Sequence, residues 1–180
     1  MPELSGRQWC ARFPGSNKTA DLTPSFRTKV EAFLAALKDA GATVVVSATL
    51  RPPERAYLMH WCCMVADSGQ DPARVPKMSG VDIQWDHPSV AESRQAAAAM
   101  KAGYDIAYPA ALKSRHTQGR AIDMTIGWTG TLSIEDKSGA VVKIATAPRS
   151  GLNPALHAVG ATYGVIKLVK DKPHWSDDGA

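Results

Sequence analysis

The chain has 180 residues, 44% of them hydrophobic and 21% charged, which is typical of a globular protein and not of a disordered one. It contains no run of about 18 apolar residues, so we expect no membrane-spanning segment. The net charge of +4 gives a weak attraction to polyanions. The basic residues form no block with interleaved aromatic residues, so we do not expect a nucleic-acid partner.

The first residues, MPELSGRQWCARFPGS, lack the apolar core of a secretory signal. We therefore expect a protein made in the cytoplasm without a signal peptide. The three cysteines, Cys10, Cys62 and Cys63, have no framework spacing and fit a reducing compartment. Adjacent thiolates chelate one ion poorly, and WCCMVA is typical of a buried helix face, so we predict that Cys62 and Cys63 belong to the core.

Helices dominate the first part of the chain, after an irregular arm predicted over residues 1–22. Thr23 and Pro24 are typical of a helix start, and apolar residues recur on one helix face until Gly41. Residues 42–48, ATVVVSA, are rich in β-branched side chains and predict a buried strand. A second helix is predicted over about 53–67.

Strands dominate the second part. Residues 68–89 form a long connection with three prolines and two glycines, and loops of that length often serve as lids or binding walls. The remaining elements are a third helix, a β-hairpin, a short helix and a last strand, predicted over 89–102, 127–147, 153–164 and 165–169. This order predicts an α+β class with an antiparallel sheet, in a single domain covering 1–180.

The stretch SRHTQGRAIDMTI, residues 114–126, places a carboxylate in an apolar run. A charge at Asp123 costs several kcal/mol unless it is paired, hydrogen-bonded or bound to a metal. His116 and Asp123 would converge on one metal ion if the chain turns at Gly119. The alternative is an ion pair between Asp123 and Arg115 or Arg120.

A metal site would need a third ligand, for which the other histidines are candidates. His60 and His157 lie in predicted helices and His87 lies in the long loop, whereas His174 follows a strand in the segment DKPHW. Asp171 precedes His174 by three residues. A carboxylate there could reach a water at the metal without being a ligand, as a general base must.

Two motifs carry a resemblance to a known family. The first is Ser-x-His-x-x-Gly-x-Ala-x-Asp, from Ser114 to Asp123, and the second is Asp-x-x-His-Trp, from Asp171 to Trp175. Together they resemble the zinc D-alanyl-D-alanine peptidases, which include D,D-carboxypeptidases, vancomycin-resistance dipeptidases and phage L-alanyl-D-glutamate endolysins. The resemblance covers roughly residues 24–175. It implies a Hedgehog/DD-peptidase-like fold, an antiparallel sheet with helices packed on one side.

The resemblance also implies roles for individual residues. His116, Asp123 and His174 would be zinc ligands, Asp171 the catalytic carboxylate, and Arg51 the cation that steadies the carbonyl oxygen as it gains charge. Two further side chains are predicted to contact substrate, namely Ser114 of the first motif and Trp85 in the long loop. A packing role for each tryptophan is the alternative.

The chain departs from the family at two places. Relatives often carry a glutamine one or two helical turns after the arginine motif, where this chain has Arg55, Tyr57 and His60. Residues 68–89 also form a longer loop than expected for a minimal endolysin. Both departures would affect substrate choice more than chemistry.

The function implied is that of a zinc metallopeptidase, a monomer acting on the peptidoglycan stem peptide in the cell wall after release or delivery. We expect a lytic endopeptidase of phage or effector origin that cleaves L-alanyl-D-glutamate or a cross-link. One alternative is a D,D-carboxypeptidase or dipeptidase acting on terminal D-alanine. The other is a zinc-stabilised binding domain without activity, although such a domain would need neither Asp171 nor Arg51.

Overall fold

The computed structural model describes residues 2–180, which form two compact units. Residues 2–15 and 52–117 make up the first, called here the helical unit, and residues 16–51 and 118–180 make up the second, the sheet unit. Each unit has its own hydrophobic core. The chain mixes helices with a mainly antiparallel sheet, so the predicted α+β class is confirmed. A single domain over 1–180 stays a prediction.

The regular elements follow one another in a mixed order. The helices are α1 (Pro24–Asp39), α2 (Pro53–Asp67), α3 (Val90–Tyr104) and α4 (Pro154–Thr162). The strands are β1 (Glu3–Leu4), β2 (Thr43–Ala48), β3 (Ile83–Gln84), β4 (Ala121–Gly127), β5 (Leu132–Glu135), β6 (Val141–Ile144), β7 (Ile166–Lys167) and β8 (His174–Ser176). Among these described residues, no helix is long and apolar enough to cross a membrane.

The core of the helical unit forms mainly where α2 packs against α3. The bounds predicted for α2 are confirmed, and the predicted third helix is α3, which begins at a capping box formed by Ser89 and Glu92. Cys62 and Cys63 are fully buried in this core, as predicted.

The long loop and most of the N-terminal arm belong to this unit and contain short elements. Within the arm, β1 pairs in parallel with β3 of the long loop, and a 3-10 helix follows over Arg7–Ala11. The long loop itself lies between the end of α2 and the start of α3, as predicted, and contains a 3-10 turn over Pro72–Arg74.

The sheet unit is built on four strands in the order β2-β4-β8-β7, with antiparallel pairing throughout. The prediction that β2 is buried is wrong, because β2 lies at the sheet edge and Val45 is 64% exposed. Its β-branched run indicates a strand but does not distinguish an edge from a centre. The buried central strand is β4, whose Ile122, Met124 and Ile126 face the core.

The remaining elements of the sheet unit complete its core. The predicted hairpin is formed by β5 and β6, and the predicted short helix is α4. The predicted last strand corresponds to β7, but the chain then turns back and forms β8, which the sequence did not predict. β8 is the strand that carries His174 into the centre of the sheet.

Candidate metal centre

A tight turn over residues 115–119 presents the first histidine of the motif. Ser114 and Thr117 bracket the turn. The backbone N–H of Ser114 donates to Thr117 Oγ1 over 2.9 Å, and that hydroxyl donates in turn to the Ser114 carbonyl, also over 2.9 Å. Such hydroxyl-to-backbone bonds stabilise turns. His116 lies inside the turn and is only 5% exposed.

Gly119 ends this turn, as the sequence predicted, with a φ of +64° that favours glycine. Its carbonyl accepts a 2.9 Å hydrogen bond from the backbone N–H of Thr23. A Cβ at Gly119 would come within 3.2 Å of the Asp21 carbonyl oxygen, so both the backbone conformation and the limited space favour glycine. The turn therefore enters β4 directly and in a fixed orientation.

The second and third candidate ligands are cross-strand neighbours in the sheet. Asp123 on β4 pairs with His174 on β8, and Asp123 Oδ1 lies 3.2 Å from His174 Nδ1. Their side chains are 19% and 8% exposed. Antiparallel neighbours place side chains on the same face about 5 Å apart, so the register of two strands brings this carboxylate and this imidazole together.

The other ring nitrogen of His174 fixes the orientation of the imidazole. Nε2 donates to the carbonyl oxygen of Ala180 over 3.1 Å. In a neutral imidazole this leaves the Nδ1 lone pair directed toward the Asp123 carboxylate, an arrangement that a proton or a metal cation would stabilise. Metal-ligating histidines commonly donate their second nitrogen to a backbone carbonyl in this way.

His116, Asp123 and His174 together form a group that could hold a metal ion, since one potential ligand atom from each lies within 4.8 Å of the other two. Two imidazoles and one carboxylate are a donor set that zinc accepts, with a fourth position left for water or substrate. Of the two arginines considered as ion-pair partners for Asp123, Arg120 pairs with Asp177, and a pair with Arg115 stays an alternative. The donor set thus fits zinc without identifying the ion.

Asp171 lies on the turn between β7 and β8 and is exposed. Its backbone is held at both ends, since its N–H donates to Leu168 and its carbonyl accepts from the N–H of His174. The segment that carries Asp171 is therefore fixed relative to one candidate ligand. Arg51 is half-buried and lies three residues beyond the end of β2.

Lys167 is a buried cation beneath this turn, 6% exposed. Its ammonium group donates to the carbonyl oxygens of Leu168, Asp171 and His174. Burial lowers the pKa of Lys167, whereas the carboxylates of Asp171 and Asp123 act in the opposite direction. Sequence reasoning missed this residue, although a lysine inside the apolar run VIKLV is the same kind of signal as the aspartate in AIDMTI.

The other candidate residues are placed elsewhere. Trp85 is 4% exposed, and its indole N–H donates to Tyr57 Oη over 3.1 Å, which is the packing role that the sequence also allowed. Ser114 structures the turn before His116. Contact of either residue with substrate stays a prediction. The remaining histidines make other contacts, with Ala110 for His60, Ser5 for His87 and Gly151 for His157.

Comparison with protein-family models, with curated proteins and with solved structures found no match for this chain. The resemblance noted in the sequence therefore depends on its two motifs alone. The structure adds the proximity of the three residues that those motifs nominate as ligands.

Proposed function

We propose that this protein is a zinc-dependent peptidase that hydrolyses a bond in the peptidoglycan stem peptide. The observation that carries the proposal is the convergence of His116, Asp123 and His174, together with the two motifs that resemble the zinc D-alanyl-D-alanine peptidases. The α+β order of elements is consistent with the Hedgehog/DD-peptidase fold that this resemblance implies. We further propose a lytic endopeptidase that acts on the cell wall as a monomer.

His116, Asp123 and His174 would hold the zinc ion, and each is already constrained by the backbone around it. When bound, zinc would supply Lewis acidity, polarising the scissile carbonyl and lowering the pKa of a water at its open position. The burial of the two histidines limits competition from bulk water. The protein's contribution is thus to keep three ligand atoms together in a partly dry environment.

Asp171 would act as the general base and then as the general acid. The contacts that fix the turn are made by the backbone of Asp171 and not by its exposed carboxylate. A carboxylate at this position would take a proton from the attacking water and return it to the leaving amine. Arg51 would stabilise the negative charge that develops on the carbonyl oxygen.

Digestion of purified peptidoglycan tests this proposal, with products identified by mass spectrometry. We expect the zinc-loaded protein to release new stem-peptide fragments. Asp171→Ala should lower turnover by about 10²- to 10⁴-fold, the usual contribution of a general acid–base group, while zinc content is unchanged. Free L-alanyl carboxyl ends paired with new D-glutamyl amino ends would indicate an endopeptidase, whereas free D-alanine would indicate a carboxypeptidase.

Two results would contradict the proposal. An unchanged peptidoglycan profile with zinc bound would favour a non-enzymatic zinc-stabilised domain. Loss of zinc from Asp171→Ala would show that Asp171 is a ligand and not the base.

A further inference from the structure

A groove of about 480 Å³ lies on the sheet unit beside the candidate metal centre. Thr125 lines it and lies two residues after Asp123 on β4, where residues 122, 124 and 126 are buried in the core. Because side chains alternate along a strand, Thr125 and Asp123 project from the same outer face, about 7 Å apart. The groove therefore begins next to a candidate metal ligand.

The two long walls of the groove come from the neighbours of β4. Ser47 lies on the β2 side, and its hydroxyl donates to the Asp123 carbonyl over 3.3 Å. Pro173 lies on the β8 side, and its carbonyl accepts from the Met124 N–H over 2.8 Å. Lys172 directly precedes Pro173 and lines the groove with it. One wall thus carries a hydroxyl and the other carries a cation.

The chemistry of the lining selects a type of ligand. Lys172 is exposed and is the one charged side chain among the described residues that line the groove. Hydroxyl groups come from Ser47, Thr125 and Ser150, and Leu152 adds an apolar surface that is 39% exposed. A cation with hydroxyl donors and no lining carboxylate favours an anionic ligand, and a carboxylate is the form in which a peptide presents one.

We propose that this groove binds the peptide substrate in an extended conformation and that Lys172 binds a carboxylate of that peptide. The inference rests on the proposed function and deepens it. A stem peptide with an alanyl-glutamate bond has a glutamate carboxylate that takes no part in the bond being cleaved. Leu152 would contact a small apolar side chain of the peptide. Lys172 would favour stem peptides with a free glutamate carboxylate over those in which that carboxylate is amidated.

Two synthetic stem peptides that differ in one group test this inference, one with the glutamate carboxylate and the other with a carboxamide in its place. We expect the protein to show a KM about tenfold lower for the acid than for the amide, the usual size for a hydrogen bond to a charged group, with similar kcat. Lys172→Met should remove this preference, and Lys172→Arg should keep part of it. Lys170→Met is the matched control, since Lys170 is an exposed lysine of the same turn that does not line the groove.

A binding measurement separates this inference from the proposed function. Calorimetric titration of both peptides into the Asp171→Ala protein, which we expect not to cleave them, should show the same preference for the acid and its loss in the Asp171→Ala, Lys172→Met double variant. Equal binding of acid and amide would overturn the groove assignment even if peptidoglycan is cleaved. Equal losses of the acid preference in Lys170→Met and Lys172→Met would show that the preference comes from general charge attraction. That result would also overturn the groove assignment. If the acid preference is present but no peptide bond is cleaved, the groove assignment stands and the peptidase proposal fails.

Discussion

The helical unit and the sheet unit differ in the kind of ionisable group that they bury. Apart from the candidate ligand His116, the buried ionisable groups of the helical unit are thiols and phenols, and burial raises the pKa of Cys62 and of Tyr104. Both are therefore neutral at physiological pH, and Tyr104 Oη donates to the Trp9 carbonyl. In a core of packed helices, most backbone N–H and C=O groups are already paired within the helices and cannot stabilise a charge. The ionisable groups buried there are therefore ones that stay neutral.

In the sheet unit a cation is buried instead, and a carboxylate is half-buried. Lys167 donates to two carbonyl oxygens of the turn before β8 and to that of His174 in β8, and Asp123 lies against His174. Each of these carbonyl oxygens also accepts a backbone N–H, so the ammonium group of Lys167 uses the second lone pair that each oxygen offers. The comparison indicates that two of the three candidate ligands, Asp123 and His174, depend on the strands of the sheet unit, whereas α2 and α3 carry none of the three.

The largest effect is expected when a candidate ligand is removed. In Asp123→Ala we expect zinc content to fall from about one ion per chain to background, as measured by metal analysis after dialysis. A site saturated about 100-fold above its Kd contributes about 2.7 kcal/mol to the free energy of unfolding, which the variant would lose. His87→Gln is the control, because His87 is half-buried but bonds to Ser5 outside the ligand group.

Hydrogen exchange locates the effect of metal removal. A chelator should raise amide exchange in β4 and β8 more than in α3, because Asp123 and His174 lie on those strands. Equal increases in all three elements would contradict the division of roles between the two units.

Gly119→Ala should have the next largest effect. Gly119 and Gly130 have nearly equal φ values, +64° and +66°, but a Cβ meets backbone atoms only at Gly119. We expect Gly130→Ala to lower the free energy of unfolding by about 1 kcal/mol and Gly119→Ala by about 2 kcal/mol or more. Urea unfolding measures both.

Zinc affinity distinguishes the two glycines further. Gly119→Ala should weaken zinc binding about tenfold or more because it displaces the turn that carries His116. Losses of this size are typical when a residue that orients a metal ligand is changed. Gly130→Ala should leave zinc affinity unchanged. Equal affinities in the two variants would show that the turn does not position His116.

Much of the fold could be predicted from local patterns. The predicted bounds of α2 agree with the structure because Pro53 opens an apolar stretch that ends at a Ser-Gly pair. β8 was missed because it has three residues and follows Pro173, too short for any periodicity to show. The burial of β2 was wrong because position within a sheet depends on partners that are distant in the sequence.

The candidate site could be predicted only in part. His116 and Asp123 are close in the chain and share a motif, so their convergence follows from one turn at Gly119. His174 was one of four possible third ligands until the family resemblance selected it. The three contacts of Lys167 depend on how the chain folds back between β7 and β8, which no local pattern reports.

Raising the pH should test the neutral groups of the helical unit. The folded pKa of Cys62 and of Tyr104 lies above the unfolded value because of burial. Their contribution to stability is therefore fully present below the unfolded pKa, about 8.5 for a thiol and 10 for a phenol, and is lost as pH rises toward the folded pKa. Each group should reduce the free energy of unfolding by up to about 1.4 kcal/mol per pH unit in that range.

Urea unfolding between about pH 7.5 and 11 measures this slope. Cys62→Ala should give a shallower decline above about pH 8.5 than the unsubstituted protein, because one titrating group has been removed. An unchanged decline in this variant would show that the thiol does not contribute.

The smallest effect is expected at the start of α3. Ser89→Ala removes the side chain that accepts from the Glu92 N–H and so breaks the capping box of that helix. The cap is exposed, so water replaces part of the lost bonding, and we expect the free energy of unfolding to fall by about 1 kcal/mol. Because α3 belongs to the helical unit and carries no candidate ligand, zinc affinity should be unchanged, in contrast to Gly119→Ala. Metal titration of Ser89→Ala under native conditions measures this, and a tenfold weaker affinity would mean that α3 supports the metal centre as the turn at Gly119 does.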